Sequence, residues 1–201
     1  MSPSFDPLAR LAFSIADPAD TETAAAIGDA LTAGHPPDAI AEAILQGIPY
    51  SGFPGAVEAL GALKDVCEAR GVGREFRSRA SRVAPSDETP PAFLAVYRHG
   101  SDAVRGALRD RHPDLERWIL DFAYGEVMGR DRLSLEAMEG LAVASLLAQR
   151  RRTPLHSHLR GALRNGWTKG ALADLLRGLE SKADPETLAF ARATLARETE
   201  K

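Results

Sequence analysis

Apolar residues in this chain recur at spacings of three and four within segments rich in Ala, Leu, Glu and Arg, and alternating β-branched runs are absent. A period near 3.6 marks an amphipathic helix, and these residue types lose little side-chain freedom in one. The chain therefore reads as all-α. The spacing predicts helices near 6–16, 22–33, 37–48, 54–70, 92–99, 102–110, 114–127, 135–150, 154–165, 169–180 and 185–198. Thr153-Pro154 and Asp184-Pro185 each place a capping side chain before a proline at the first helical position, where its missing N–H costs nothing. Ser134 and Thr168 are further N-cap candidates, and Gly34, Gly71 and Gly166 follow periodic stretches where a left-handed residue suits the helix end.

With 201 residues, 44% of them hydrophobic and 26% charged, the chain can build one domain or two small repeats that share a core. A net charge of −3 supplies no general field for nucleic acid or an anionic membrane. The local exception, Arg150-Arg151-Arg152, has no aromatic residues interleaved and reads as a solvated helix end offsetting the helix dipole. No apolar run approaches the roughly 20 residues of a membrane span. The start, Met1-Ser2-Pro3-Ser4-Phe5-Asp6, lacks the basic and apolar regions of a signal peptide, so a cytoplasmic location is expected. The one cysteine, Cys67, shares a helical stripe with Ala56, Leu60 and Leu63 and reads as a buried small hydrophobe. A single thiol cannot run a dithiol redox cycle within one chain.

Residues 72–91, from Arg74 through Ala84-Pro85-Ser86-Asp87-Glu88-Thr89-Pro90-Pro91, alone have linker composition. Sliding the chain by 132 residues lays Ala30-Leu31-Thr32-Ala33-Gly34 over Ala162-Leu163-Arg164-Asn165-Gly166, then Ile40 over Leu172 and Ile44 over Leu176. Helical hairpins share such patterns for physical reasons, but the common glycine and the register across two helices favour duplication. The expected organisation is an N-terminal helical repeat over 1–71, a linker with connecting helices over 72–112, and a C-terminal repeat over 113–201.

Chemistry-bearing residues concentrate between Asp121 and Gly166: Asp-Phe-Ala-Tyr-Gly-Glu-Val-Met-Gly-Arg, the Ala/Leu-rich stretch after Ser134 that holds Glu139, and His156-Ser157-His158-Leu159-Arg160-Gly161-Ala162-Leu163. This stretch resembles the carboxymuconolactone decarboxylase family, and in the first half Tyr50-Ser51-Gly52-Phe53-Pro54-Gly55-Ala56 is similar to a turn of the same family. The resemblance implies an alkylhydroperoxidase-D-like fold, a small-molecule substrate and a homo-oligomer. Thiol peroxidases of that superfamily carry Cys-x-x-Cys-x-x-x-His on this hairpin. Here the cysteine positions are Arg151 and Pro154, so that activity is excluded in that form. The family tryptophan is replaced by Met128, and Arg-Arg-Arg-Thr-Pro stands where a short acidic turn is usual.

What the resemblance implies is a decarboxylase-like lyase or isomerase on a small carboxylated lactone, needing no cofactor and no metal. His158 is the expected acid/base, because an imidazole exchanges protons near neutral pH. Glu139, nineteen residues earlier on the neighbouring helix, could orient it, or pair instead with Arg130 or Arg132. Tyr124 could donate a hydrogen bond, and Arg130 or Arg160 could hold a substrate carboxylate in bidentate fashion. The alternative is a non-catalytic helical binding or assembly protein that keeps the scaffold; a closed core around His158 would favour it.

Overall fold

A computed structural model describes residues 5–74, 76 and 88–198, and among these residues there is no strand. Arg77 to Asp87, the middle of the expected linker, lie outside the described residues. A first set of helices comprises α1 (Asp6–Ala16), α2 (Thr23–Thr32), α3 (Pro37–Gln46) and α4 (Ile48–Ala69). A connecting layer follows: α5 (Pro91–Tyr97), a 3-10 turn (Arg98–Gly100), α6 (Ser101–Arg111) and α7 (Pro113–Trp118), which runs on into a π-helix (Ile119–Val127). The second set is α8 (Leu135–Ala148), α9 (Arg152–Arg164), α10 (Lys169–Gly178) and α11 (Pro185–Arg197). A shift of 132 residues lays α3 onto α10 end to end, and places α1 within α8 and α2 within α9.

The two sets meet through α1 and α8. Every residue from Met138 to Leu147 is buried, so α8 has no solvent face and sits at the centre of the molecule. Against it α1 turns Leu8, Ala9, Leu11, Ala12 and Phe13. One core cluster draws on both sets, from Leu11, Ile27, Ile40 and Leu63 to Leu147, Leu155, Leu159 and Leu172, all without exposed surface. Burying a leucine or isoleucine contributes roughly 1.5–3 kcal/mol before the entropy of ordering it.

Helix ends follow local chemistry. The Ser134, Thr168 and Asp184 side chains accept from the backbone N–H three residues on, as predicted. Gly34, Gly71 and Gly166 have φ of +91°, +65° and +122°. A fourth left-handed end was not foreseen. Arg150 takes φ +59°, and the chain turns there with Arg151 N–H on the Leu146 carbonyl at 3.0 Å. That turn stops α8 two residues before the predicted end and starts α9 at Arg152. Thr153 therefore lies inside the first turn and caps nothing, a correction to the sequence reading; Pro154 still falls among the N–H groups that lack helical partners.

The connecting layer carries its own small core, Phe93, Val96, Leu120, Tyr124, Met128 and Met138. Glu116 ties α6 to α7 by accepting from Arg105 at 2.8 Å and Arg109 at 2.7 Å. The α-helix expected over 114–127 widens to π geometry from Ile119, with Met128 N–H reaching back to the Ala123 carbonyl at 3.0 Å.

Candidate active site

The site grows from the α8–α9 hairpin. Ser134 fixes where α8 begins, the left-handed Arg150 fixes the turn, and the two helices then bring residues nineteen apart into contact. His158 Nδ1 lies 3.1 Å from Glu139 Oε2; Glu139 is fully buried and His158 only 5% exposed. A missing side chain makes room for the pair. A Cβ added at Gly161 would run into Glu139 Oε2 and stand 2.9 Å from its Cδ, so glycine one turn beyond His158 admits the carboxyl group. A Cβ at Gly140 would lie 2.6 Å from Trp167 and 2.8 Å from Phe5. Those two rings pack edge to face at 5.3 Å, and the Trp167 indole N–H donates to the Glu136 carbonyl at 2.7 Å, bracing the start of α8.

Glu139 Oε1 has no hydrogen-bond partner. The Tyr50 ring stands edge-on to the His158 imidazole at 5.9 Å, and the Tyr50 carbonyl accepts from the Gln149 amide. Tyr124 donates to the Tyr97 hydroxyl at 3.3 Å, and Phe93 packs against both rings. Burial, reinforced by the negative charge at Glu139, holds the Tyr50 phenol well above the usual tyrosine range. Burial does the same to Tyr124, with Tyr97, Tyr50 and Glu139 adding to it. Tyr97 is raised by burial against the opposing hydrogen bond from Tyr124. All three are therefore neutral hydroxyl donors at physiological pH.

Of the five residues singled out in the sequence, the structure puts two in contact, His158 and Glu139, while Tyr124 bonds to Tyr97 and lines a cavity. Glu139 pairs with neither Arg130 nor Arg132. Arg130 engages Glu42 of α3 through two bonds of 2.8 Å, and Arg132 engages Asp38 at 3.0 Å. Arg130 also lines a cavity of about 370 Å³ with Tyr124, Met128, Leu133 and Met138. Arg160, two residues past His158, turns away to Glu198 at 3.1 Å. Arg151 and Pro154 are exposed at the start of α9. Cys67 is fully buried, and burial pushes its thiol up. Among the described residues no three His, Cys, Asp or Glu side chains cluster to hold a metal ion, and no helix is long and apolar enough to cross a membrane.

Sequence reasoning missed Tyr97 and the part played by Tyr50. Tyr97 follows Phe93 by four residues and has the signature of a core aromatic. Tyr50 stood in a quoted motif, but only Gly52, with φ +73° inside α4, shows how the chain bends at that motif.

Residues 113–196 match the model of the Carboxymuconolactone decarboxylase family. The chain is 38% identical over 69 residues to the 4-carboxymuconolactone decarboxylase of Acinetobacter baylyi (strain ATCC 33305 / BD413 / ADP1). The aligned stretch is 34% of this chain and spans about half of that relative, 52% of its length. The matched residues begin at α7 and hold the Glu139–His158 pair, and it is this stretch of the chain that is similar to the carboxymuconolactone decarboxylase family.

Proposed function

We propose that this protein is a decarboxylase-like lyase or isomerase that acts on a small carboxylated lactone, with His158 as acid/base and Glu139 as its orienting partner. The observation that carries the reading is the buried contact of 3.1 Å between the two, with the Tyr50 ring against the imidazole. In this reading Glu139 Oε2 accepts from His158 Nδ1, which leaves Nε2 as the working nitrogen. When the bond to the carboxylate breaks, CO2 leaves and the electron pair stays with the lactone. Phenol hydroxyls suit the oxygen on which that charge collects, and the imidazolium returns a proton to carbon before solvent reprotonates it. The name of the Acinetobacter relative supports 4-carboxymuconolactone as the first compound to try. On this reading the chain is two pseudo-repeats, of which the second holds the acid/base pair.

The test is CO2 release from 4-carboxymuconolactone by the wild type and by His158→Ala. A positioned acid/base contributes roughly 10²–10⁴-fold, and a loss of that size is the expected result. Full turnover in the variant would end the mechanism. One observation favours the second reading, a binding or assembly protein: the residues lining the 370 Å³ cavity include Tyr124 and Met138 but neither His158 nor Glu139. On that reading the lactone binds without loss of CO2.

A further inference from the structure

We infer that Gln46 is a substrate-positioning residue, contributed by the first helix set, that holds a carbonyl or carboxyl oxygen of the substrate beside His158. This rests on the acid/base reading above. Gln46 is 2% exposed, yet neither its Nε2 nor its Oε1 has a hydrogen-bond partner. An amide buried in that state costs stability, and a fold keeps such a group where the missing partner arrives with a ligand.

Its address says where the partner would sit. Gly47 joins α3 to α4 with helical backbone, φ −72° and ψ −17°, so Glu42, Gln46 and Tyr50 stack at intervals of four on one face. Glu42, at one end of this row, grips Arg130 at the cavity wall. Tyr50, at the other end, stands against the His158 ring. Gln46 stands between them in this row, and on the proposed function the substrate lies along it. Of its polar neighbours in the row, Glu42 is committed to Arg130. Glu139 Oε1 is likewise without a hydrogen-bond partner.

A neutral amide offers N–H to a lactone or carboxylate oxygen and C=O to a hydroxyl. A lactone acid presents the first kind of atom twice, whereas an apolar ligand would leave the amide as it is. Recognition of the oxygen-rich end of the substrate is thus assigned to a segment outside the family match at 113–196.

The test uses the full chain with Gln46→Leu, which keeps the volume and removes the polar atoms, and Gln46→Glu, which sets a carboxylate against the substrate's own. For Gln46→Leu the expected melting temperature is higher than wild type by roughly 2–6 °C, because an unpaired buried amide has gone. Its KM for 4-carboxymuconolactone rises about tenfold with kcat little changed, as loss of ground-state and transition-state binding alike requires. Gln46→Glu raises KM further. A lower melting temperature for Gln46→Leu means the amide is already paired in the resting protein and overturns the inference; so does an unchanged KM. Should the wild type release no CO2 from 4-carboxymuconolactone, the acid/base reading fails separately, and Gln46 is judged by binding. A thermal shift given by that lactone acid to the wild type but not to Gln46→Leu sustains the inference, and an equal shift or none overturns it.

Discussion

The two helix sets share a plan and differ in what they bury. At the 132-residue spacing Leu159 falls opposite Ile27 and Ala162 opposite Ala30, all four without exposed surface. His158 falls opposite Ala26 and Glu139 opposite Pro7. The packing positions are apolar in both sets, while the polar pair exists in one. What the first set brings to the same region is Tyr50, aimed by a bend at Gly52, where the second set has the plain cap Asp184. Scaffold and chemistry are therefore separable in this molecule. Apolar periodicity sets the helices, and a handful of substitutions on it decides where the polar pair sits.

The comparison breaks first if the two sets do not weigh equally as scaffold. Ile27→Ala and Leu159→Ala each remove a side chain from a closed core. Each is expected to cost about 2–5 kcal/mol in denaturant unfolding. A value well below that range for one of them would show that its set packs loosely. The next test separates chemistry from scaffold. Gly161→Ala pushes a methyl group into Glu139 and moves the carboxyl group that contacts His158. A displacement of this kind is expected to lower CO2 release by about 10²-fold. The mirror change, Asp29→Ala on the exposed side of α2, should leave the rate untouched.

Much of this was legible in the sequence because the signals were local. The spacing of Leu and Ala gave the helices, and Ser134, Thr168 and Asp184 gave three starts, since a cap bonds within its own turn. The approach of Glu139 to His158 followed from a hairpin plus a family resemblance. The failures depended on distant partners or on unusual backbone. Arg150 in a left-handed turn carries no glycine to announce it, and so Thr153 was mistaken for a cap. Arg130 was expected to hold a substrate carboxylate or to pair with Glu139, but Glu42, eighty-eight residues away, takes its guanidinium. Tyr97 meets Tyr124 across twenty-seven residues and a π-helix that no periodicity predicts.

A smaller effect sharpens the contrast between the bend at Gly52 and the cap at Asp184. Gly52 combines φ +73° with ψ 174°, a region that residues with a Cβ avoid, although a Cβ there would meet only Pro54 at 3.5 Å. Gly52→Ala is thus a test of backbone strain alone, and about 1–3 kcal/mol of stability is expected to be lost. If Tyr50 moves with the bend, CO2 release falls as well, which no strain in a remote turn would cause.

The smallest effect concerns the cap itself. Bonds from the Thr187 hydroxyl and backbone N–H hold the Asp184 carboxyl below its ordinary value of 3.8. Because the folded value is the lower one, the charged cap stabilises the protein fully above pH 3.8, and this contribution disappears as pH falls through the folded value. Asp184→Asn keeps an acceptor oxygen but has nothing to titrate. Melting curves between pH 7 and about 3 should therefore fall less steeply for the variant than for the wild type. Glu116, Asp20 and Glu180, whose carboxyls also lie below their ordinary values, continue to titrate in both proteins and set the acid slope that remains. Identical slopes would mean that Asp184 contributes to α11 only as an acceptor, and that its charge adds nothing the plain turn at Gly52 lacks.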